Sequence, residues 1–391
     1  MKDCKITPMQ YRTFGKTGIE VSALGFGMMR LPTLGEDSAA IDEELATTML
    51  HRAIDAGVNY VDTAWSYHRE QGEPFVGRAL AGGYREKVYL ATKLPTWLVH
   101  SQDDMEHFLD AQLTRLQTDH IDFYLLHSMN AEKWENLTRL KVFDWAERKR
   151  AEGKFRYFGF SFHDDFEVFE QILNGYDAWD FCQIQYNYMD VDYQAGRKGL
   201  QEAAQKGLGV VIMEPLRGGQ LAQNPPPAAV AQVFAQSPRQ WTPAEWALQW
   251  LWNQPEVSLV LSGMSTLQQV EENLASAERS GVGSLTPADL QIIEQVRNVR
   301  QGLAPIPCTH CEYCLPCPND VAIPDIFALY NEAMMYGAPE HSRYTYRNFF
   351  NPENKADQCI ECGTCESLCP QHIEIIEWLK TAHSFLQPNQ S

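Results

Sequence analysis

Short apolar runs rich in β-branched and aromatic residues alternate, along residues 20–300, with longer segments whose apolar positions recur at helical spacing. Eight of these runs have the length of a strand; they are VSALGFG (21–27), NYVDT (59–63), VYLATK (88–93), IDFYLLH (121–127), RYFGFS (156–161), FCQIQYN (181–187), GVVIM (209–213) and VSLVLSG (257–263). Strands that alternate with helices predict a parallel sheet, and eight such repeats predict a closed (β/α)8 TIM barrel.

An open, doubly wound sheet is the alternative fold, and it requires a G-x-G-x-x-G turn after a strand. The nearest segments, GFGMMR and GLGVVI, both lack the third small residue. We therefore interpret their glycines as turn residues, and the barrel remains the predicted fold.

Three segments around the barrel pattern suggest how the chain is organised. YRTFGKTGIEV predicts a β-hairpin over the barrel floor, and NPPPAAVAQVFAQSPRQWTP predicts a flexible loop over the barrel mouth. TPADLQIIEQVRNVRQ predicts a helix beginning at Pro287, and GLAPIP then reads as a linker. The predicted domains are a barrel over residues 1–303 and a small, mainly α-helical, two-cluster ferredoxin-like domain over residues 304–391.

Two runs near the end of the sequence contain eight of its ten cysteines. The second run, CIECGTCESLCP, has the C-x2-C-x2-C-x3-C-P spacing typical of iron–sulfur proteins. The first run, CTHCEYCLPCP, is one residue shorter before its fourth cysteine. The predicted metal ligands are Cys308, Cys311, Cys314, Cys317, Cys359, Cys362, Cys365 and Cys369.

The two runs favour two [4Fe–4S] clusters, with zinc and disulfides as the alternatives. Disulfides are rare in a reducing compartment, and a structural zinc site needs only four ligands, whereas each run has four by itself. In two-cluster ferredoxins the fourth cysteine of one run binds the cluster of the other run. Crossed pairing predicts one cluster on Cys308, Cys311, Cys314 and Cys369, and the other on Cys317, Cys359, Cys362 and Cys365. The shorter spacing of the first run leaves the role of Cys317 open.

Composition limits the partners and the location. The chain has 51 acidic and 32 basic residues and a net charge of −19, which disfavours nucleic acids and anionic membranes because both are polyanions. The sequence shows neither a signal-peptide pattern nor an apolar run long enough to span a membrane. We therefore expect a cytoplasmic protein without nucleic-acid or membrane partners.

Ionisable side chains lie at the predicted carboxyl ends of consecutive strands, where barrel enzymes place their chemistry. Asp62, Lys93 and His127 end the second, third and fourth predicted strands, and Tyr67 follows Asp62 by five residues. A phenol with a pKa of about 10 is a poor acid at neutral pH, and a nearby cation lowers that pKa. We expect Lys93 to be that cation, held charged by Asp62. His127 would then donate a hydrogen bond to a substrate carbonyl, and a cofactor would supply the hydride.

The segments YVDTAWSYHREQGEPFVGRAL, VYLATKLP and IDFYLLHSMN resemble signature segments of the aldo-keto reductases, a likeness that covers roughly residues 9–300. By this resemblance Asp62, Tyr67, Lys93 and His127 are the catalytic tetrad. The cysteine-rich tail is similar to that of the iron–sulfur branch of the family. The resemblance implies that a nicotinamide dinucleotide binds across the barrel mouth without a Rossmann motif.

Matching motifs imply a set of cofactor-binding residues. They are Ser161, Gln183, Met213, Pro215, Leu216, Arg217, Gly263, Gln269, Glu272 and Asn273. Met213 takes the position of the aromatic residue that stacks on the nicotinamide, and Arg217 is the expected partner of the pyrophosphate. The basic residues that hold the 2′-phosphate in the family correspond to Gly263 and Gln269, which are uncharged. The resemblance therefore leaves NADP(H) and NAD(H) both open.

The sequence thus predicts an NAD(P)H-dependent oxidoreductase that interconverts a carbonyl and an alcohol, with two [4Fe–4S] clusters for electron transfer. Its expected partners are a small carbonyl or alcohol substrate and a redox protein. The alternative is a non-catalytic nicotinamide-binding redox sensor that signals to a protein partner through the clusters.

Overall fold

The computed structural model describes residues 9–35 and 37–388. The strands are β1 (Tyr11–Thr13), β2 (Glu20–Ser22), β3 (Leu24–Gly27), β4 (Tyr60–Asp62), β5 (Tyr89–Leu94), β6 (Ile121–Met129), β7 (Phe155–Phe162), β8 (Phe181–Gln185), β9 (Gly209–Met213) and β10 (Leu259–Gly263). The helices are α1 (Glu43–Asp55), α2 (Gly72–Ala79), α3 (Gln102–Arg115), α4 (Ala131–Arg139), α5 (Val142–Ala151), α6 (Phe166–Asn174), α7 (Gly196–Gln205), α8 (Ala228–Phe234), α9 (Pro243–Trp252), α10 (Leu267–Glu278), α11 (Pro287–Gly302), α12 (Ile323–Tyr336), α13 (Pro339–Phe349), α14 (Thr364–Leu368) and α15 (Ile375–Leu386).

Strands β3 to β10 form a closed barrel in the order β10-β3-β4-β5-β6-β7-β8-β9, and every neighbouring pair is parallel. This confirms the predicted (β/α)8 barrel. All eight predicted strands are present. The first predicted run is shared between two elements, because Glu20–Ser22 belongs to a hairpin and Leu24–Gly27 to the barrel.

The predicted hairpin is confirmed and closes the amino-terminal end of the barrel. Strands β1 and β2 pair antiparallel, and between them the fully buried Phe14 places its ring centroid 4.9 Å from that of Phe123. Gly15 adopts a left-handed φ of +51°, and a Cβ there would lie 2.3 Å from the Gly209 amide nitrogen. Only glycine fits this turn, because a side chain would collide with the first residue of β9.

Helix starts follow from local side-chain chemistry. In five barrel helices the side chain of the N-cap residue accepts a hydrogen bond from a backbone amide of the first turn. This satisfies a donor that the helix itself leaves unpaired. The five capping residues are Asp42, Ser101, Asn130, Asp165 and Thr266. The apolar faces of these helices pack against the outside of the barrel in one continuous core. A second cluster, which includes Phe14, fills the barrel interior.

The chain divides into two compact units. The barrel unit contains residues 1–217 and 245–286, and the cysteine-rich unit contains residues 218–244 and 287–391. The segment predicted as a flexible loop contains helix α8, which packs against α11 within the cysteine-rich unit. By contacts, residues 218–244 and α11 therefore group with the cysteines, and the domain boundary after residue 303 stays a prediction.

The cysteine-rich unit is mainly helical, as predicted. Helices α12, α13 and α15 pack on one another around a core that includes Ile326, Phe327, Tyr346 and Leu379. Within residues 9–35 and 37–388, no helix is both long enough and apolar enough to cross a bilayer.

Candidate active site and cysteine clusters

The carboxyl ends of the eight parallel strands meet at one rim of the barrel, and the predicted site residues lie along it. Asp62 is the last residue of β4, Lys93 and His127 lie near the ends of β5 and β6, and Ser161 and Gln183 lie near the ends of β7 and β8. The parallel register places side chains that are far apart in the sequence at one end of the cylinder.

Lys93 is the centre of the tetrad. Its Nζ donates to Asp62 Oδ1 at 2.7 Å and to the Thr63 carbonyl at 2.8 Å, and it lies 3.4 Å from the Tyr67 hydroxyl. Lys93 and Asp62 are almost completely buried. The structure therefore brings together the three groups that the sequence predicted to act as one unit.

A buried polar network behind β5 fixes the backbone of Lys93. The Gln112 amide donates to the Lys93 carbonyl at 2.9 Å and to Glu73 Oε1 at 2.7 Å. Thr92 also donates to Glu73 Oε1, at 2.7 Å, and Tyr124 donates to Gln112 Oε1 at 2.7 Å. The hydrogen bond from Gln112 to the Lys93 carbonyl holds the lysine at a fixed height along the strand.

The loop after β4 positions Tyr67. Three consecutive non-glycine residues, His68, Arg69 and Glu70, adopt left-handed φ values of 51°, 49° and 69°. The His68 ring lies 2.7 Å from the Ser38 carbonyl through Nδ1, which anchors this strained segment. Gly72 allows the following helix to approach, since a Cβ there would lie 3.1 Å from the Tyr67 Cβ.

Burial raises the pKa of the Tyr67 phenol above its ordinary value, and the Lys93 ammonium offsets only part of that rise. Burial lowers the pKa of Lys93, but Asp62 and Tyr67 outweigh it and leave the pKa of Lys93 raised. Tyr67 therefore keeps its proton at neutral pH beside a charged ammonium. Lys93 acts in the predicted direction, but the net lowering of the Tyr67 pKa expected from the sequence is wrong, because burial has the larger effect.

His127 lies on an irregular stretch of β6. The register with β7 shifts between Leu126 and Met129, and Ser128 has a left-handed φ of 53°. The Thr96 hydroxyl donates to the His127 carbonyl at 2.6 Å, and the Ser128 amide donates to Ser161 Oγ at 2.8 Å. Such a bulge redirects a side chain at the end of a strand.

The imidazole of His127 is neutral at physiological pH. Burial, with the nearby Lys93, His163 and Lys133, lowers the pKa of His127 well below its ordinary value. Its ring centroid lies 6.2 Å from that of Tyr67 and 5.1 Å from that of Trp97. A neutral ring beside a protonated phenol can donate a hydrogen bond to a carbonyl oxygen without adding charge.

Gln183 and Ser161, the two residues predicted to bind the nicotinamide carboxamide, can each form a further hydrogen bond. Gln183 is 3% exposed, and its Oε1 has no hydrogen-bond partner among the described residues. Ser161 accepts the Ser128 amide through Oγ, which leaves its hydroxyl proton available to donate. An unsatisfied buried amide oxygen costs free energy, which a primary carboxamide ligand would recover.

Met213, the last residue of β9, is partly exposed at the rim, and the loop that follows contains Pro215 and Leu216. Arg217 adopts a left-handed φ of 50°, and its Nε donates to Asp190 Oδ2 at 3.1 Å. The guanidinium predicted to hold the pyrophosphate is thus paired with a carboxylate on the same rim.

Because Gly263 has no side chain, the side chain of Arg30 packs against it. A Cβ at Gly263 would lie 3.3 Å from the Cβ of Arg30, so the aliphatic stem of Arg30 covers this position. The guanidinium of Arg30 lies 3.7 Å from Glu214 Oε1 and is partly exposed.

The remaining residues of the expected adenosine segment have structural contacts of their own. Asn273 donates to Ser262 Oγ at 2.9 Å and is buried, whereas Glu272 is exposed and accepts from Gln268 at 2.8 Å. Gln269 Oε1 accepts the Ser265 amide at 2.8 Å in the first turn of α10. No positive side chain comes from positions 263 and 269.

Two cavities with largely apolar walls each gather four cysteines in the cysteine-rich unit. The cysteines lining the first cavity are Cys308, Cys311, Cys314 and Cys369. The cysteines lining the second are Cys317, Cys359, Cys362 and Cys365. All eight are free thiols, and their grouping is the one that crossed pairing predicts.

Each cavity offers four cysteines, which is the number of thiolate ligands that one [4Fe–4S] cluster takes. Two such groups account for all eight clustered cysteines.

Sequence reasoning missed several rim residues. Lys133, His163 and Trp97 surround His127, yet none of them belongs to the three segments that carry the family resemblance of the tetrad. Their position could have identified them, since each lies a few residues beyond the end of a predicted strand. Arg30 and Glu73 were also missed because their roles depend on contacts across the barrel.

The comparisons with known proteins agree with this geometry. The model of the Aldo/keto reductase family matches residues 23–298, and that of the 4Fe-4S dicluster domain matches residues 307–374. L-galactose dehydrogenase of Arabidopsis thaliana is 27% identical over 75% of this chain and 97% of that protein. Methylglyoxal reductase of Escherichia coli is 27% identical over 69% of this chain and 89% of its own.

Solved structures show the same architecture. The holo form of an aldo-keto reductase from Bacillus halodurans is 27% identical, with a TM-score of 0.62 over 73% of this chain and 96% of that chain. An aldo/keto reductase from Klebsiella pneumoniae in complex with NADP and acetate is 23% identical, with a TM-score of 0.59 over 74% of this chain and 95% of its own, and shows the fold alone. The chain therefore belongs to the aldo-keto reductase family, as an NAD(P)H-dependent oxidoreductase whose barrel is followed by a 4Fe-4S dicluster domain.

Proposed function

We propose that the protein interconverts a carbonyl and an alcohol at the carboxyl-terminal rim of its barrel. The observation that carries this proposal is the position of Lys93 Nζ, 2.7 Å from Asp62 and 3.4 Å from the Tyr67 hydroxyl. A buried cation next to a phenol at the catalytic end of a barrel is an arrangement for proton transfer. A non-catalytic sensor would have no use for it.

Each member of the tetrad has one task. Tyr67 holds a proton at neutral pH, and Lys93 stabilises the tyrosinate left after transfer. Asp62 holds Lys93 in place, and the neutral His127 donates a hydrogen bond to the carbonyl oxygen. When bound, NAD(P)H would supply the hydride that the carbonyl carbon gains in the reductive direction. Tyr67 gives its proton to the carbonyl oxygen and then regains one from water.

Either nicotinamide dinucleotide fits the proposed binding residues. The buried Gln183 Oε1 and the Ser161 hydroxyl would hold the carboxamide, and Met213 would lie against the ring. The Klebsiella relative was solved in complex with NADP, whereas Gly263 and Gln269 of this chain supply no charge for a 2′-phosphate. We expect both NADPH and NADH to support turnover, with little discrimination between them.

The two cysteine-lined cavities are proposed to hold two [4Fe–4S] clusters. One cavity would use Cys308, Cys311, Cys314 and Cys369, and the other Cys317, Cys359, Cys362 and Cys365. We propose that the clusters exchange single electrons with a redox protein, and a cytoplasmic location follows as part of this proposal.

Anaerobic purification followed by a carbonyl panel tests the function. We expect about eight iron atoms per chain, four for each cubane, and oxidation of NADPH or NADH by at least one class of carbonyl compound. Bleaching of the cluster absorbance by NAD(P)H alone would support electron exchange within the chain. Dinucleotide binding without turnover of any carbonyl compound would contradict the proposed reaction.

A further inference from the structure

Lys133 lies beside the catalytic histidine although no sequence motif marks it. It occupies the first turn of α4, and its Nζ donates to the Ser128 carbonyl at 2.6 Å, one residue after His127. The residue is half-buried, so the ammonium is partly withdrawn from water while remaining accessible from the rim.

The charge of Lys133 has no counter-ion within reach. An ammonium has three donors, and the Ser128 carbonyl takes one of them. No carboxylate oxygen within residues 9–35 and 37–388 lies within 4.0 Å of its Nζ. Other rim cations are paired, since Lys93 contacts Asp62 and Arg217 contacts Asp190.

Two acidic residues at the start of α4, Asp164 and Glu132, form no ion pair with Lys133. Asp164 uses Oδ2 to accept the Ala131 amide at 3.0 Å and Oδ1 to accept the Asp165 amide at 2.8 Å, so it caps backbone groups. Glu132 precedes Lys133 and is exposed; its charge acts on Lys133 from a distance, but burial has the larger effect and leaves the pKa of Lys133 lowered. In a protein with a net charge of −19, an unpaired ammonium at the rim favours an anionic ligand.

Trp97 adds an aromatic surface beside His127. Trp97 is 39% exposed, and its ring centroid lies 5.1 Å from that of His127. Exposed aromatic side chains at a binding site offer a flat apolar face to a ligand. The rim therefore combines a proton donor, an apolar wall and an unpaired cation.

We propose that the substrate is a carbonyl compound bearing a carboxylate, which Lys133 binds while Trp97 packs against the apolar body. This inference rests on the proposed function and specifies its substrate class. The carboxylate stays unchanged in the reaction. The carbonyl carbon gains the hydride of NAD(P)H, and the carbonyl oxygen gains the proton of Tyr67.

The test compares 4-carboxybenzaldehyde with its methyl ester, which differ in one charge. In the cluster-loaded full chain, Lys133→Met should raise KM for the acid about tenfold to a hundredfold, as expected for a lost charge-assisted hydrogen bond, and change KM for the ester less than about twofold. Lys133→Arg should restore most of the difference. Lys154→Met, at the opposite end of the barrel before β7, is the matched loss of charge and should leave both substrates unaffected.

A purely structural role through Ser128 predicts a different result, because a disturbed bulge would impair acid and ester equally. Equal losses, or no change for the acid, would overturn the inference. Turnover of neither compound, together with no turnover anywhere in the carbonyl panel, would instead refute the proposed function. Calorimetric titration of the NADP⁺-loaded protein with 4-(hydroxymethyl)benzoate and its methyl ester then decides the inference separately: it requires tighter binding of the acid, and loss of that preference in Lys133→Met.

Discussion

The rim of the barrel and the cysteine-lined cavities are built on opposite principles. At the rim, Lys93 already contacts Asp62, Thr63 and Tyr67, so protein groups orient the reactive side chains. In the cavities, eight free thiols line largely apolar walls, and we propose that metal clusters join them. The first site is preorganised by the fold, whereas the order of the second would be coupled to the proposed metal binding.

The largest expected effect is a loss of catalysis at the rim that leaves the cysteine-lined cavities unchanged. Tyr67→Phe removes the only atom of the tyrosine that transfers a proton, so kcat for carbonyl reduction should fall about a thousandfold. Iron content and the dissociation constant for the dinucleotide should not change. Steady-state kinetics, iron analysis and fluorescence titration measure the three quantities.

Tyr89 provides the matched control for this loss of a hydroxyl group. It is a partly buried tyrosine at the start of β5, at the other end of the barrel interior. Tyr89→Phe should retain wild-type kcat. Unchanged turnover in Tyr67→Phe would exclude the phenol as the proton donor and leave the rim without an assigned acid.

The second prediction breaks the cavities and tests their crossed ligand sets. The double variant Cys317→Ser/Cys362→Ser removes two ligands of one cavity and should keep about half of the iron, that of one four-iron cubane. Cys314→Ser/Cys317→Ser removes one ligand from each cavity and should lose nearly all of it. Both should unfold the cysteine-rich unit more easily and leave the tetrad geometry intact. The reverse pattern of iron loss would show that each run holds its own cluster.

The sequence predicted which residues form the two regions, but not all of their contacts or the direction of every pKa. Asp62, Lys93 and His127 could be placed because strand ends share one rim, and the cavities because cysteine spacing is itself the signal. The contact of Lys133 with Ser128 depends on a bulge with a left-handed residue, which no apolar pattern reveals. The direction of the Tyr67 pKa depends on burial, which is a property of the folded chain.

A smaller effect is expected on the preference for NADPH over NADH. Gln269 lies in the first turn of α10, where Arg could meet a 2′-phosphate with a bidentate hydrogen bond. Gln269→Arg should raise the ratio of NADPH to NADH efficiency about tenfold, since a charge-assisted pair contributes roughly 1.5–3 kcal/mol. Gln268→Arg, one position earlier, is the matched control and should change the ratio less. Equal ratios in both variants would show that the phosphate does not reach this turn.

The last prediction concerns how the neutral state of His127 changes the free energy of unfolding with pH. Burial, Lys93, His163 and Lys133 hold the pKa of His127 well below its ordinary value. The unfolded chain therefore takes up a proton near pH 6.5 that the folded chain refuses, so stability is retained above that pH and lost as the pH falls, by at most about 1.4 kcal/mol per unit. His127→Gln should lose less free energy of unfolding between about pH 7 and about pH 5 than the unaltered chain in urea titrations. Equal losses would mean that the folded barrel takes up the same proton near pH 6.5, and hence that its surroundings do not hold His127 neutral.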